Sequence, residues 1–382
     1  MNREYNKNLV FIACCFGMLL FGISLITLGA VATDLKQKFL LDGKGSGTLF
    51  SILPVGILAG SLLFGPVCDR YGYKFLLVIA CLAMFAGFEG IAYAGSLAVL
   101  KICVGIFGMG GGIINGATNA LVADISNRNK GADLSLLGVF FGIGALGMPL
   151  VLGILSKSHT SFQIIAAMGW LAFAAAAFYL VLRFPPSKQS SGPAGIEWRK
   201  LFNPLLLLIS CFLFFQSSLE AIINNWTTTY LIAQGTMIKS MALYALSFHI
   251  VGMILMRLLT GSLLRAVSHK KIIWVCLILL FSGIALMQSG TSRAIIIAGL
   301  FLSGAGLAAG FPIMLGFVGE RFAGLSGTAF SFAFTVALIG NMLINYGMGF
   351  VVHAYGVQQL TTVCYGEIGM MAVLCIFIFK KI

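Results

Sequence analysis

The chain has 382 residues, of which 59% are hydrophobic and 9% charged, with a mean hydropathy of +1.02 and a formal net charge of +13. A soluble domain is roughly one-quarter charged, and no water-facing fold hides this much apolar surface, so lipid is the solvent the composition demands. The excess of basic residues then reads as membrane topology and contact with anionic lipid, and nucleic-acid binding is excluded.

An apolar run of about 20 residues crosses a bilayer core of about 30 Å. Charges, polar pairs and Gly/Pro/Ser clusters divide the chain into predicted spans 9–33, 46–68, 74–94, 97–123, 133–156 and 161–184, followed by 203–232, 239–263, 270–289, 293–319, 326–350 and 358–379. The first run is long enough to span and is read as a retained helix, not a cleaved signal peptide. Between the two sets, residues 185–202 carry Pro185, Pro186, Pro193 and the Glu197/Arg199/Lys200 cluster, which reads as a cytoplasmic linker between six-helix bundles at 1–184 and 203–382. An even span count puts both termini on one side. Placing them inside leaves 16 Lys and Arg in inside loops and tails against 7 outside, with Arg257 inside a span, so both termini are expected in the cytoplasm of a cell carrying this chain in its inner membrane.

The nine cysteines fall in or beside apolar runs without metal-ligand spacing, and they read as packing residues. The run Gly108-Met109-Gly110-Gly111-Gly112 follows no strand and precedes no Lys-Ser/Thr, so it reads as close helix packing and not as a phosphate cradle. Gly142, Gly144, Gly147 and Pro149, and Gly304, Gly306, Gly310 and Pro312, read in the same way as close packing with room to bend. No catalytic constellation, metal cluster or cofactor motif is present, and the expectation is a transporter, not an enzyme.

The segment Gly65-Pro66-Val67-Cys68-Asp69-Arg70-Tyr71-Gly72-Tyr73-Lys74 closes the second span, and Gly261 to Lys270 closes the eighth at an offset of 196. Two such halves suggest parallel repeats about a central cavity. The first segment resembles the signature loop of the major facilitator superfamily, which implies a gating role for Gly65, Asp69, Arg70, Gly72 and Lys74. Arg257, two turns further toward the cytoplasm than His249 and near the end carrying the repeated loop, is expected to join that gating or helix packing.

Scattered segments resemble the fucose/glucose/galactose symporter family within that superfamily: Asn115 to Asn119, Phe140 to Ala145, and Glu220 with Trp226 and Tyr230. The resemblance implies a small neutral solute such as a monosaccharide, carried by secondary active or facilitative transport; a coupled proton or sodium ion is the expected partner if transport is active, and the chain is expected to be a monomer. It also marks departures. Gly29 and Asn115 stand where the family's proton-coupling acids would align, and Gly138 and Phe141 where it has amides; Phe141 is kept as a candidate contact.

Ionisable groups at membrane depth are expensive and mark function. Glu220 sits mid-span with Gln216 and Asn224 one turn to either side, forming a polar stripe that can bind solute hydroxyls or carry a proton. His249, in the next span, is a second proton-coupling candidate. The i,i+4 amide pairs Asn115/Asn119 and Asn341/Asn345 offer donors and acceptors to a polyol, and Trp226 offers a stacking face. Glu89 and Glu367, near outer span ends, are expected to be peripheral and solvated. The alternative is a proton-linked exporter of amphipathic compounds, suggested by 16 methionines and by Gly147-Met148-Pro149 with Gly153.

Overall fold

The computed structural model describes residues 5–40, 43–126, 129–155, 158–186, 203–264, 266–290 and 292–382. It is all helical in those residues, and twelve helical spans are long and apolar enough to cross a membrane. In chain order the helices are α1 Lys7–Ala30, α2 Ala32–Phe39, α3 Gly43–Tyr71, α4 Tyr73–Tyr93, α5 Leu97–Ile125, α6 Lys130–Leu155 and α7 Ser161–Val181. There follow α8 Pro204–Ala233, α9 Lys239–Leu263, α10 His269–Ser289, α11 Arg293–Ala308, α12 Gly310–Arg321, α13 Ser326–Tyr355 and α14 Leu360–Lys381.

Two features were not visible as hydropathy. A short amphipathic helix, α2, follows the first span, and the tenth span is two helices, α11 and α12, that break at Ala309. Pro312 has no N–H to offer the carbonyl one turn back, so the ladder is interrupted there. The carbonyl that loses its N–H to Pro312 is that of Ala308; beside it at the same break, Gln216 Nε2 donates to the carbonyl of Leu307 at 2.8 Å. Most of the predicted linker, residues 187–202, lies outside the described residues.

The chain forms two compact units. One comprises Met1–Ile125, Phe140–Ile196 and Phe322–Ser331; the other comprises Ser126–Val139, Glu197–Arg321 and Phe332–Ile382. Each unit thus takes its own sequence half plus the opening turns of one helix from the other half, α13 in the first unit and α6 in the second.

Within each unit the helices approach through glycines, and the two sets of crossings correspond at the same offset of 196. In the first unit α3 crosses α5 at Gly56 and Gly108, where a Cβ on Gly108 would stand 2.5 Å from the Leu53 carbonyl oxygen. In the second, α9 crosses α11 at Gly252 and Gly304, where a Cβ on Gly304 would overlap the His249 carbonyl. The α4/α5 crossing puts Gly110 2.7 Å from Ala80 O by the same measure, and the α10/α11 crossing puts Gly306 2.7 Å from Cys276 O. Without water to drive association, close backbone approach at small residues is what packs helices in lipid. The glycine runs are therefore repeated seams. Seven of the cysteines, Cys14, Cys15, Cys68, Cys81, Cys276, Cys364 and Cys375, are buried among these helices.

Candidate transport site

On α8, Gln216, Glu220 and Asn224 recur every four residues and share one face, while Ser218 stands on the opposite one. Gln216 is buried, and its amide hydrogen is committed to Leu307 O; its Oε1 meets no partner among the described residues. Glu220 and Asn224 are half-buried. Glu220 lies within electrostatic range of Arg257 on α9. The Arg257 guanidinium donates through Nη1 to Gly138 O at 3.0 Å, and Ser135 Oγ donates to Arg257 O at 2.7 Å, which ties α9 to the start of α6 within the second unit. A Cβ on Gly138 would stand 3.0 Å from that Nη1. The glycine found where the family resemblance placed an amide is thus the seat of the guanidinium. Asn341 on α13 donates to Ser217 O only at 3.4 Å, which leaves its amide largely uncommitted. Trp226 is half-buried, and the side chain of Asn345 lies outside the described ones.

His249 is fully buried and pairs with Ser303 on α11, its Nδ1 2.9 Å from Ser303 Oγ. The serine proton goes to Leu300 O at 2.7 Å, so Nδ1 carries the ring hydrogen and Nε2 is left as an acceptor with no described partner. An approach of His249 to Glu220 was open from sequence; the described contacts instead pair His249 with Ser303 and Glu220 with Arg257. At the repeat offset, His249 and Ser303 correspond to Leu53 and Phe107, so this polar pair belongs to the second unit alone.

In the first unit Asn119 donates to Asn115 O at 2.8 Å and to Asn115 Oδ1 at 3.1 Å, which couples the predicted amide pair to itself. Phe141 packs its ring 5.5 Å from Phe21. Ser24 and Thr27 bond their own helix, at Phe21 O and Ile23 O.

The loop after α3 has a built contact in the first unit. Asp69, buried, accepts from the N–H of Gly327 at 3.1 Å, the N–H of Thr328 at 2.8 Å and the Thr328 hydroxyl at 2.6 Å, so its carboxylate sits on the N-terminus of α13. Gly65 is the close approach beneath it, where a Cβ would stand 2.7 Å from Gly327 O and 2.9 Å from Thr328 Cα. Gly72 turns the chain at φ 82°, ψ 173°, a region that side chains avoid. Asp124 at the end of α5 accepts from Tyr73 and, at 2.7 Å, from Ser326. Of the other two charges, Arg70 stacks on Tyr71 at 5.1 Å, and Lys74 is exposed.

The second unit repeats this docking with other chemistry. Asn129 Nδ2 donates to Leu264 O at 2.6 Å while its Oδ1 accepts from Ala132 N, and Lys130 Nζ donates to Gly319 O at 2.8 Å. Gly131 and Ala132 occupy the positions of Gly327 and Thr328 at the repeat offset. Sequence reading passed over Asp124, Thr328 and Asn129, although Ser326-Gly327-Thr328 at the head of a span carries the residue types of a helix start.

Glu367 differs from its expected setting. It is only 4% exposed, and Ser218 on the back of α8 lies 2.9 Å from its Oε1. Glu89 is half-buried on α4, and its Oε1 has no partner among the described residues.

A family model described as the Major Facilitator Superfamily matches residues 11–345. The 3-(3-hydroxy-phenyl)propionate transporter of Escherichia coli (strain K12) is 28% identical over 310 residues, spanning 76% of this chain and 74% of that protein. The glucose/mannose transporter GlcP of Bacillus subtilis (strain 168) is 23% identical over 313 residues, 77% of this chain and 76% of its own. Among solved structures, the E. coli fucose:proton symporter FucP superposes with a TM-score of 0.79 at 14% identity, covering 96% of this chain and 98% of that one.

Proposed function

The chain belongs to the Major Facilitator Superfamily, and on that premise we propose that it is a secondary transporter of a small neutral polyhydroxylated solute, a monosaccharide or close relative, and not an enzyme. It works by alternating access as a monomer in the cell's inner membrane, with the inside basic residues against anionic lipid and a proton or sodium ion coupled to the solute. One observation carries the solute class. Glu220 and Arg257 face each other electrostatically inside the second unit, so the stripe presents acceptors and donors while its charges compensate. Asn224 and the weakly committed Asn341 add amide groups that suit hydroxyls better than a net charge would. The names of GlcP and FucP agree with that reading.

In this scheme Glu220 contacts the solute and shares ion coupling with His249, while Asp69 on the α13 N-terminus, Gly65, Gly72, Arg70 and Lys74 form one gate and Arg257 with Gly138 links α9 to the other. The test is counterflow of labelled D-glucose and L-fucose in proteoliposomes. Glu220→Gln is expected to raise KM by about 10- to 150-fold, the worth of a hydrogen bond to a charged group. Unchanged KM in that variant removes Glu220 from the site.

A second reading, transport of an aromatic carboxylate, is favoured by Arg257 Nε, which has no acceptor among the described residues, and by the hydroxyphenylpropionate relative. The same vesicles decide it: saturable uptake of 3-(3-hydroxyphenyl)propionate without sugar counterflow would replace the monosaccharide.

A further inference from the structure

We propose that Glu367, held by Ser218 on the back of α8, is a proton-binding site of the transporter, separate from the Gln216–Glu220–Asn224 stripe. The proposal rests on the transport reading for its role in the cycle, but the site is defined by its own geometry.

Glu367 lies seven residues into α14, inside the last membrane span. Its counterpart at the repeat offset is Leu171, which is 36% exposed on α7, whereas Glu367 is 4% exposed. The difference has a packing cause. The helix α7 lies chiefly against α4 in the first unit, while α14 lies chiefly against α8 in the second. The turn of α14 that would meet lipid in a symmetric molecule is therefore pressed against α8, and at that place the chain has a carboxyl instead of an aliphatic group. An apolar residue would fill the seam at no electrostatic cost.

The hydrogen-bond inventory assigns the proton. Ser218 Oγ is 2.9 Å from both Phe215 O and Glu367 Oε1, and a hydroxyl has one hydrogen. If that hydrogen goes to Glu367, the carboxylate is left with a bare Oε2 at membrane depth and no counter-charge. If it goes to Phe215 O, the contact to Glu367 is completed by a hydrogen from the carboxyl group itself. The second arrangement gives the serine hydrogen and the carboxyl hydrogen each an acceptor and leaves Oε2 bare only as a neutral carbonyl oxygen, and it needs a protonated Glu367. Oε2 has no partner among the described residues, and no charged group acts on the site. A charged carboxylate in hydrocarbon surroundings requires such a partner.

The neighbours are few. On α14 itself they are the thiol of Cys364 and, beyond it, Tyr365; α8 offers Ser218 and, further out, Tyr230. The helix α10 presents Gln288 to Tyr365, and its Lys270 reaches α14 only at Phe379 O, twelve residues or about 18 Å along the axis. Among the described residues, no charged group nearby competes for the proton or replaces it.

The consequence for α8 is local. The proton enters Glu367 from one aqueous face and returns to the other. With the acid protonated, the Ser218 hydrogen stays on Phe215 O; with the acid ionised, it turns to Glu367 and releases that carbonyl. The backbone so affected is the turn that carries Gln216 and leads to Glu220. Proton on the back of α8 and solute on its front are linked through one helical turn.

Infrared difference spectroscopy on the purified full chain in lipid tests the site without any solute. The native protein is expected to show a carboxylic-acid C=O band that shifts in D2O and titrates reversibly; Glu367→Gln lacks it, and Ser218→Ala moves its frequency without abolishing it. In proteoliposomes with D-glucose as probe, a gradient of one pH unit sustains at most about tenfold accumulation for one proton at zero membrane potential. Glu367→Gln should lose that accumulation while keeping solute exchange. A native band unchanged in both variants, or tenfold accumulation retained in Glu367→Gln, overturns the proposal. If Glu367→Gln does not fold, the Ser218→Ala frequency shift decides alone. If D-glucose is carried by neither protein, the solute assignment fails and the infrared band still decides the proton site.

Discussion

Replacing Asp69 by Asn tests whether the carboxylate on the α13 N-terminus holds the two sequence halves together in the first unit. Among its contacts, the native carboxylate accepts hydrogen bonds at 3.1, 2.8 and 2.6 Å. Asparagine keeps one accepting oxygen and turns an NH2 toward a backbone N–H, so at least one bond is lost outright and the rest lose their charge. A hydrogen bond to a charged group contributes about 1.5–3 kcal/mol, and a negative charge at a helix N-terminus about 0.3–2 kcal/mol more. The contact should weaken by about 2–4 kcal/mol, which is roughly a 30- to 1,000-fold rise in its opening constant. Cys68 reports on it directly, since its thiol is 1% exposed and lies under Gly327. Alkylation of Cys68, followed by peptide-resolved mass spectrometry, should accelerate by at least about 30-fold in the variant if opening precedes labelling. Thr328→Ala removes the 2.6 Å donor alone and should give a smaller rise, and the double variant should fall short of the product of the two because the residues share one contact. Unchanged Cys68 labelling in Asp69→Asn, or strict additivity in the double variant, would refute the reasoning.

Three further outcomes follow from the same geometry. Gly72→Ala forces a side chain to φ 82°, ψ 173° and should lower apparent stability by about 1–3 kcal/mol in a thermal unfolding scan in lipid, whereas an effect within experimental error contradicts the observed turn. Asn129→Ala removes both the 2.6 Å bond to Leu264 O and the acceptor for Ala132 N; amide hydrogen exchange at Ala132 should speed up by the equivalent of about 1–3 kcal/mol. Gly138→Ala would place a Cβ 3.0 Å from Arg257 Nη1 and displace the guanidinium from Gly138 O, impairing uptake as Glu220→Gln does. Gly261→Ala meets, among the described residues, only Ala132 O at 3.8 Å and should transport normally, so equal impairment of both variants would separate Arg257 from the effect.

Hydropathy and charge were sufficient for the twelve spans, because a bilayer demands length and apolarity from each segment separately. The match between Gly65–Lys74 and Gly261–Lys270 was likewise legible as a repeat, and the glycine seams at Gly108 and Gly304 carry that offset into the packing. The sequence also exposed Glu220 and His249 as rare polar groups at membrane depth. What each of them touches is a different kind of fact. Gln216 looked like a solute ligand because it shares a face with Glu220, and its amide also donates to Leu307 O at the broken ladder; that contact depends on α11 and α12 meeting α8, which no single helix reveals. Glu367 looked solvated because it lies near a span end, but burial depends on which neighbour α14 packs against, and the repeat does not hold there. Asp69 was singled out from its loop, while its partner, the N-terminus of α13, is a backbone site with no side-chain signature beyond the small residues Ser326, Gly327 and Thr328. Period and composition determine where a chain can cross a membrane. The partners of buried polar groups are settled only by tertiary contact, since hydrogen bonds join positions hundreds of residues apart.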